Sequence, residues 1–229
     1  ATNGADLWVP EGVYRGSIDA VSNLRVSGVG TIKAKAGLAA SKQAVIRRES
    51  AATGIVITGI TIDGNGEVSG IKIENATGII DGVTITNTGT TDNYNRGVTF
   101  NDAHGSILRN SRLIDCATGI GGSSSQYLHI LDNLIDGTTG NAIGMTAWNN
   151  PIPGLVIARN RLIDVNRMGV ELLKAGGGYW LMPVIEGNTI EIPASATGGA
   201  DAFAMSIVGG ARGRISANTC RCGDRTPNY

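Results

Sequence analysis

The chain has 229 residues and a formal net charge of zero, with 19 basic and 19 acidic residues in no strong block of either sign. This balance excludes nucleic acid as the expected partner, because a duplex-binding surface needs a basic face to neutralise phosphates. No run approaches the ~20 apolar residues of a membrane span. Aromatic residues make up 4% of the chain and Gly reaches 34 residues. This composition predicts an all-β chain with many turns and an aliphatic core.

The chain opens with LWVPEGVYRGSIDAVSNLRVSGVGTIKA at 7–34, an apolar–Pro–x–Gly–x–Tyr strand followed by an Asn–apolar–x–apolar–x–Gly coil. After it, one unit recurs: a leading apolar alternation, a turn, and a trailing apolar strand that ends in Asp or a substitute. The leading strands are 70–76, 97–103, 119–125, 142–149, 169–175 and 202–208. The trailing strands are 54–64, 78–88, 105–116, 128–137, 154–165 and 183–192.

The spacing of the unit identifies its architecture. The apolar period is 2, which excludes helical repeats, and the leading strands recur at variable steps of 22 to 33 residues, which excludes a leucine-rich repeat. Variable coils with short strands are typical of a parallel β-helix, where each strand stacks about 4.8 Å above its predecessor. The residues predicted to form one interior stack are Ile71, Val98, Ile120, Ile143, Val170 and Phe203.

The corners of the coils carry a repeated amide. An Asn follows an apolar strand at 110, 133, 160, 188 and 218. Asn tolerates the left-handed backbone of a tight corner, and its side chain can bond the backbone or the Asn one coil away. We interpret Asn110, Asn133, Asn160, Asn188 and Asn218 as a structural ladder.

The opening segment and the later coils resemble the pectin-lyase-like family of right-handed β-helices, over nearly the whole chain. The resemblance implies an all-β fold: one right-handed, single-stranded parallel β-helix domain over 1–229, with roughly eight coils. We expect the opening coils and N-terminal cap in 1–44, regular coils in 45–220 and a C-terminal tail in 221–229.

The family includes polysaccharide lyases, galacturonidase-type hydrolases, alginate epimerases and phage tailspikes that bind or cut bacterial surface glycans. The resemblance therefore implies an extracellular, secreted or virion-surface protein that binds a polysaccharide or cell-surface glycan and is a candidate hydrolase or lyase. The Asp-Asp motif of galacturonidases and the Arg-x-Pro-x-x-Arg element of pectate lyases are absent. The alternative is a non-enzymatic structural or adhesive solenoid within a larger assembly. Because tailspikes are commonly trimers, a homotrimer is a further expectation.

Outward side chains of the leading strands should form a groove suited to a linear polymer. One column is predicted to hold Lys72, Thr99, Gly121, Gly144, Glu171 and Ala204, and the next Glu74, Asn101, Ser123, Thr146, Leu173 and Ser206. The small residues at 121–125 and 144 predict a depression in the middle. The residues predicted to contact a sugar are Asn101, Asp102, His104, Ser123, Thr146, Trp148, Tyr179 and Trp180.

Glu171 is the sharpest catalytic candidate, since cations and aromatic residues flank it. It could serve as general acid or base in glycoside cleavage if a second carboxylate lay ~5–9 Å away, and Asp201 is the candidate partner. For a lyase, Lys174 or Arg167 could instead abstract the proton beside a uronate carboxylate. Two alternatives stay open: Glu171 contacts the sugar without catalysis, or it is an exposed strand residue bonded to a neighbouring cation.

No metal site or other cofactor is expected. His104 has no Cys or His partner at metal-ligand spacing, and the three cysteines lack Cys-x-x-Cys spacing. The turn Asp63-Gly64-Asn65-Gly66 leaves calcium as an alternative without a clear set of ligands.

Overall fold

The computed structural model describes residues 4–38, 44–89, 95–196 and 202–223. This part of the chain is built from β-strands and turns. The strands are β1 (Ala5–Val9), β2 (Val13–Arg15), β3 (Ile18–Asp19), β4 (Leu24–Gly28), β5 (Thr31–Lys33), β6 (Ala44–Arg48), β7 (Ala52–Thr58), β8 (Thr61–Asp63), β9 (Ser69–Glu74), β10 (Ala76–Asp81), β11 (Thr84–Thr86), β12 (Arg96–Asn101), β13 (Ile107–Arg109), β14 (Arg112–Ile114), β15 (Thr118–Ser123), β16 (His129–Leu131), β17 (Leu134–Thr138), β18 (Ile143–Trp148), β19 (Pro151–Pro153), β20 (Val156–Ala158), β21 (Arg161–Val165), β22 (Met168–Ala175), β23 (Tyr179–Leu181), β24 (Val184–Glu186), β25 (Thr189–Ile192), β26 (Phe203–Ile207), β27 (Gly210–Ala211), β28 (Arg214–Ser216) and β29 (Thr219–Cys222).

Three long parallel sheets wind around one core. Sheet 1 has the order β1-β4-β7-β10-β13-β16-β20-β24-β28, and sheet 2 has the order β2-β5-β8-β11-β14-β17-β21-β25-β29. Sheet 3, made of the leading strands, has the order β26-β22-β18-β15-β12-β9-β6-β3, and a short sheet 4 joins β19, β23 and β27. The chain visits sheets 1, 2 and 3 in turn and returns one layer higher, which is the path of a β-helix. The predicted all-β parallel β-helix is confirmed.

The interior stack of sheet 3 is confirmed for five of its six predicted members. Pairing runs from Ile71 through Val98, Ile120 and Ile143 to Val170, each of which is fully buried. The sixth member, Phe203, was predicted wrongly. The strand is shifted by two residues, so that Met205 pairs with Val170 and Phe203 pairs with Met168. Phe203 is half exposed, since no strand of the described chain lies above its coil.

A glycine precedes four of these five stacked residues for a steric reason, and Ala142 precedes the fifth, Ile143. A Cβ at Gly119 would come within 2.6 Å of Cγ2 of Ile135, which packs down from sheet 2 of the next coil. Gly70, Gly97 and Gly169 meet Ile85, Leu113 and Ile190 in the same way. The Gly–Ile/Val pairs in the sequence therefore mark where one coil lies closely over another.

A ladder of asparagines runs along the corner between sheets 1 and 2. The Nδ2 of Asn160 donates to Oδ1 of Asn188 at 3.0 Å and to the carbonyl oxygen of Ile130 at 2.9 Å. Asn133 makes the same bond to Asn160, and Asn188 makes it to Asn218. Asn160 and Asn188 are each only 1% exposed. The predicted ladder is confirmed for these four residues.

Two details of the ladder prediction were wrong. Asn110 lies outside the ladder: it is exposed, and its Nδ2 donates to Asp81. Ser111 occupies the position in the ladder that was predicted for Asn110, because its backbone N–H donates to Oδ1 of Asn133 at 3.0 Å. The left-handed backbone also falls one residue before each ladder Asn, at Asp132, Arg159, Gly187 and Ala217. The ladder therefore needs the amide for its hydrogen bonds and not for its backbone conformation.

The ends of the described chain continue the same sheets. Strands β1 to β5, within the segment expected to contain the cap, already belong to sheets 1, 2 and 3. Strand β29 extends two residues into the expected tail, and residues 224–229 lie outside the described residues. Among the described residues, no helix is long and apolar enough to cross a membrane.

Candidate functional site

The outer face of sheet 3 carries three adjoining depressions of about 330, 380 and 530 Å³. Neighbouring depressions share residues: Ser123 and Trp148 lie between the first two, and Arg96, Gly122 and Thr146 lie between the first and the third. We call their union the sheet 3 groove. It spans four coil steps, roughly 19 Å at the usual strand spacing, and so has the elongated form that a linear polymer requires.

Eight of the predicted site residues line the sheet 3 groove. They are Asn101, Asp102, His104, Ser123, Thr146, Trp148, Arg167 and Glu171. The pleat explains the arrangement, because alternate residues of β12, β15, β18 and β22 point to solvent while their neighbours fill the core.

The other predicted site residues lie elsewhere. Trp180 is fully buried and its Nε1 donates to the carbonyl oxygen of Leu173, so its ring is not available to a sugar; this prediction was wrong because β23 turns Trp180 into the core. Tyr179 is exposed on sheet 4. Lys174 lies at the end of β22, where its aliphatic stem runs beside Gly209. Asp201 lies outside the described residues.

The predicted outward columns hold up to β22 and then shift. Lys72, Thr99, Gly121, Gly144 and Glu171 are paired in one row, as the alternation predicts. Above Glu171, however, stands Ser206, which had been expected one column away, and Ala204 does not occupy this position. The cause is the two-residue shift that also displaces Phe203.

Glu171 is held within the groove wall and is not an exposed strand residue. Only 8% of its surface is exposed. The Nδ2 of Asn141 donates to its Oε2 at 2.6 Å, and Nη2 of Arg167 lies 3.7 Å from its Oε1. The proposed bond to a neighbouring cation is therefore present, but on a buried carboxylate. The side-chain Oδ1 of Asn141 is itself buried and has no hydrogen-bond partner.

Two polar side chains line the groove where glycines leave room for them. The Arg96 side chain lies over Gly121, where a Cβ would overlap its guanidinium end, and Asn141 lies against Gly144. Sequence reasoning predicted a depression at these glycines but missed Arg96 and Asn141. The available signal was the glycine itself, since Gly at an outward strand position indicates the close approach of another group.

One end of the groove contains a cluster of charges. Nζ of Lys72 lies 2.7 Å from Oε1 of Glu49 and 2.8 Å from Oε2 of Glu74. Burial by itself lowers the pKa of Lys72, but the hydrogen bonds to these two carboxylates outweigh it, and the pKa is raised above its ordinary value. Lys72 is therefore a fixed cation at neutral pH.

The side of the groove beside sheet 4 combines an aromatic face with polar groups. Trp148 is 51% exposed and shares a depression with Asp102 and His104. The Nδ1 of His104 accepts a hydrogen bond from the backbone N–H of Gln126 at 3.1 Å, which leaves Nε2 to carry the proton of the neutral ring. An indole face with donors and acceptors around it is suited to a sugar ring.

Glu171 and Glu74, two of the carboxylates that line the groove, are widely separated along it. Glu171 lines the 530 Å³ depression, whereas Glu74 lies on β9, four coil steps or roughly 19 Å away. Glycosidases place their two carboxyl groups within roughly 5–9.5 Å. Glu171 and Glu74 therefore cannot form such a pair.

Among the described residues, no group of three or more His, Cys, Asp and Glu side chains could hold a metal ion. At the turn considered for calcium, Oδ2 of Asp63 is 2.6 Å from Nζ of Lys33, and its Oδ1 accepts the backbone N–H of Asn65. Cys116 lies in the core, where burial raises the pKa of its thiol to about 12.

Several solved structures resemble this chain. The surface adhesin PfbA of Streptococcus pneumoniae is 14% identical to this chain, with a TM-score of 0.71. The match covers 93% of this chain and 63% of the adhesin chain. A mutant tailspike protein of E. coli bacteriophage HK620 in complex with a pentasaccharide has 12% identity and a TM-score of 0.66, and the match covers 96% of this chain and 51% of the tailspike chain. A family 28 exopolygalacturonase of Yersinia enterocolitica has 11% identity and a TM-score of 0.66, and the match covers 100% of this chain and 62% of the exopolygalacturonase chain.

These likenesses show the fold, and the chain spans about half to two thirds of the length of each structure. No curated protein gives a significant match. A family model described as the right handed beta helix region matches residues 18–190. With the three parallel sheets and the resemblance to tailspike, exopolygalacturonase and adhesin structures, this match shows that the chain belongs to the right-handed β-helix family, with a fold of the pectin-lyase-like type.

Proposed function

We propose that this chain binds a polysaccharide along the sheet 3 groove. The observation that carries the proposal is the wall formed by Asn141 and Glu171, which holds a buried acceptor without a partner beside a nearly buried carboxylate. A buried acceptor without a partner costs free energy until a donor reaches it. Once the Asn141 side chain turns toward the groove, adjacent sugar hydroxyls can supply such donors to Asn141 and Glu171 together.

The rest of the groove supports a glycan over other polymers. Trp148 offers an exposed ring for stacking, while Asn101, Ser123 and Thr146 offer short polar groups along the floor. The cations Lys72 and Arg167 each have a carboxylate partner. A neutral surface of this kind lacks the basic face that nucleic acid needs. Two similar structures, the tailspike with its pentasaccharide and the exopolygalacturonase, agree with a carbohydrate ligand.

The test is a binding screen of the chain against a panel of neutral, acidic and uronate-containing oligosaccharides. For a glycan that binds, we expect Trp148→Ala and Asn141→Ala each to weaken the affinity about 10-fold or more, through lost stacking and a lost hydrogen bond. Trp8→Ala, which changes a tryptophan that is 62% exposed on strand β1 of sheet 1, is the matched control and should bind as wild type does. If no glycan binds, or if the two groove variants bind normally, the proposal is wrong.

Cleavage of the bound polysaccharide is a second proposal, and Glu171 carries it. A carboxylate that is 8% exposed and oriented by Asn141 and Arg167 is the kind of group that general acid–base catalysis uses. A hydrolase also requires a second carboxylate, for which Asp201 stays the candidate. A lyase requires a base, for which Arg167 or Lys174 stays the candidate. A purely adhesive solenoid is the alternative, and it predicts binding without products.

We base our proposals for the location and the assembly of the protein on the same comparisons. Its structural neighbours are a surface adhesin, a phage tailspike and an exopolygalacturonase, which support an extracellular or virion-surface setting. The homotrimer expected from the resemblance to tailspikes is likewise a proposal. Its test is the molar mass of the purified chain in solution.

A further inference from the structure

The last strand of sheet 2 carries two cysteines on one side. Cys220 and Cys222 alternate along β29 with Arg221, whose Nη1 lies 3.6 Å from Oε1 of Glu191 on the outer face. Both cysteines therefore face the interior of the solenoid. They are exposed all the same, because no described strand pairs with the far side of β29. The two free thiols thus lie at the uncovered end of the core, where a small solute can reach them.

The earlier coils place aliphatic residues at the positions that carry sulfur in this last coil. The column of sheet 2 that ends in Cys220 runs through Ile32, Ile62, Ile85, Leu113, Ile135, Leu162 and Ile190. Cys222 stands above Ile192, which is 2% exposed. Met205 stands above the buried Val170 on sheet 3 and packs against the core. Three aliphatic positions thus become sulfur positions in a single layer.

Packing explains a smaller side chain at one of these positions but not the sulfur. A Cβ at Gly169 would come within 2.4 Å of Cγ2 of Ile190, and Ala204 occupies the position of Gly169 one coil higher. Cys220 therefore leaves room for the methyl group of Ala204, which an isoleucine would not. Alanine or valine would meet the same need. The thiols of this layer thus call for a reason besides packing.

The spacing of Cys220 and Cys222 suits a bridging metal ion and not a disulfide. Residues i and i+2 of an extended strand are about 6.6 Å apart, whereas a disulfide needs Cβ atoms within roughly 3.5–4.5 Å. A metal ion between two thiolates, with bonds of about 2.3 Å, needs sulfur atoms about 4.6 Å apart. Two side chains inclined toward each other reach that separation while the strand stays intact. Burial and, next, the charge of Cys222 raise the pKa of Cys220, so the two groups lie near each other.

We propose that Cys220, Cys222 and Met205 form a binding site for a soft monovalent metal ion, Cu(I), at the open end of the solenoid. Two thiolates and a thioether are the soft ligands that Cu(I) prefers. Strand β26, which carries Met205, contacts β29 across the core, and the unbranched Met side chain can turn its sulfur toward the pair. On binding, each thiol releases its proton to solvent and its sulfur forms one bond to copper, which stays monovalent.

The ligand set favours Cu(I) over Zn²⁺. A structural zinc site takes four ligands from Cys, His, Asp and Glu. Within the described ranges, no third side chain of these types joins the two cysteines.

The site is separate from the sheet 3 groove, whose lining residues lie between 69 and 173. The proposal therefore does not rest on glycan binding.

The test is an anaerobic titration of the reduced chain with Cu(I), supplied from a weaker chromophoric chelator that reports how much copper the protein removes. We expect one Cu(I) per chain. Cys220→Ser and Cys222→Ser should each weaken the affinity at least ~100-fold, the scale of one lost thiolate. Met205→Leu should weaken it about 10-fold, because a thioether is the weaker ligand. Cys116→Ala, which removes the thiol buried in the core, is the matched control and should bind copper as the wild type does.

A measurement on the wild type alone does not depend on how the variants fold. Bound Cu(I) should protect Cys220 and Cys222 from alkylation by iodoacetamide, as read by peptide mass spectrometry. Equal alkylation with and without copper overturns the proposal. So does Cu(I) binding that survives the double change Cys220→Ser with Cys222→Ser, one ion shared by two chains, or displacement of Cu(I) by Zn²⁺. Equal copper affinity of wild type and Met205→Leu would contradict the three-sulfur site.

Discussion

The side chain of Arg96 lies across Gly121, the residue of the next coil to which the outward row of sheet 3 assigns no side chain. The guanidinium is thereby positioned in the floor of the groove, between two of its depressions. Any Cβ at Gly121 would displace the flexible end of Arg96, so the proposed role of Arg96 in the groove depends on this glycine.

We expect Gly121→Ala to keep the fold and weaken glycan binding. The backbone at Gly121 does not have the positive φ that only glycine favours, so stability should change by less than about 1 kcal/mol. Arg96→Ala should weaken binding to a similar degree. In a double-mutant cycle measured by calorimetry, the two losses should not add, because both remove the same group. Additive losses would show that Gly121 and Arg96 act separately.

Glu171→Gln tests whether the groove cleaves what it binds. The substitution keeps the size and much of the hydrogen bonding but removes the titratable group. We expect a loss of at least ~100-fold in turnover with little change in affinity, the scale of general acid–base catalysis. Product analysis by chromatography provides the measurement. Equal turnover in wild type and variant removes Glu171 from the mechanism, and a wild type that releases no product from any bound glycan favours the adhesive alternative.

Asn160→Val should destabilise the solenoid by about 1–3 kcal/mol, since it leaves buried backbone groups without partners. The expected cost comes from the lost amide, because Asn160 itself has no left-handed backbone. Urea denaturation measures it. Asn110→Gly is the control: that residue is exposed with a positive φ, so the change should cost little. Equal effects at Asn160 and Asn110 would contradict the assigned ladder.

The ion pair of Lys33 and Asp63 should make part of the stability depend on acid pH. Burial by itself raises the pKa of Asp63, but the hydrogen bonds from Lys33 and Asn65 outweigh it and hold the pKa below its ordinary value. The stabilisation is therefore present above the ordinary pKa of about 3.9 and is lost as the pH falls through the lower folded value.

Denaturation of wild type and Asp63→Asn across this range gives the measurement. The wild type should be more stable at neutral pH by up to about 1 kcal/mol, and the difference should disappear in strong acid. A Lys33→Met background should reduce the difference. A gap between the two proteins that stays constant with pH would contradict the assigned pKa.

The sequence by itself was sufficient to determine the architecture. The period of 2 and the variable spacing of the coils can be read from short segments, and they hold whichever coil lies above or below. Glu171 was identified in the same way, since alternation along β22 places it opposite to Val170 and Leu172. The asparagine ladder followed from the same repeat, apart from the shift between Asn110 and Ser111.

Only the tertiary structure decided how the coils meet. The partner of Glu171 is Asn141, 30 residues earlier in the chain, and no local pattern links the two. The burial of Trp180 and the shift of β26 depend on how the long last coils close on their neighbours. Alternation along a strand determines which side of a sheet a residue faces, whereas contacts between coils depend on loop lengths and side-chain volumes that act across 20 to 30 residues.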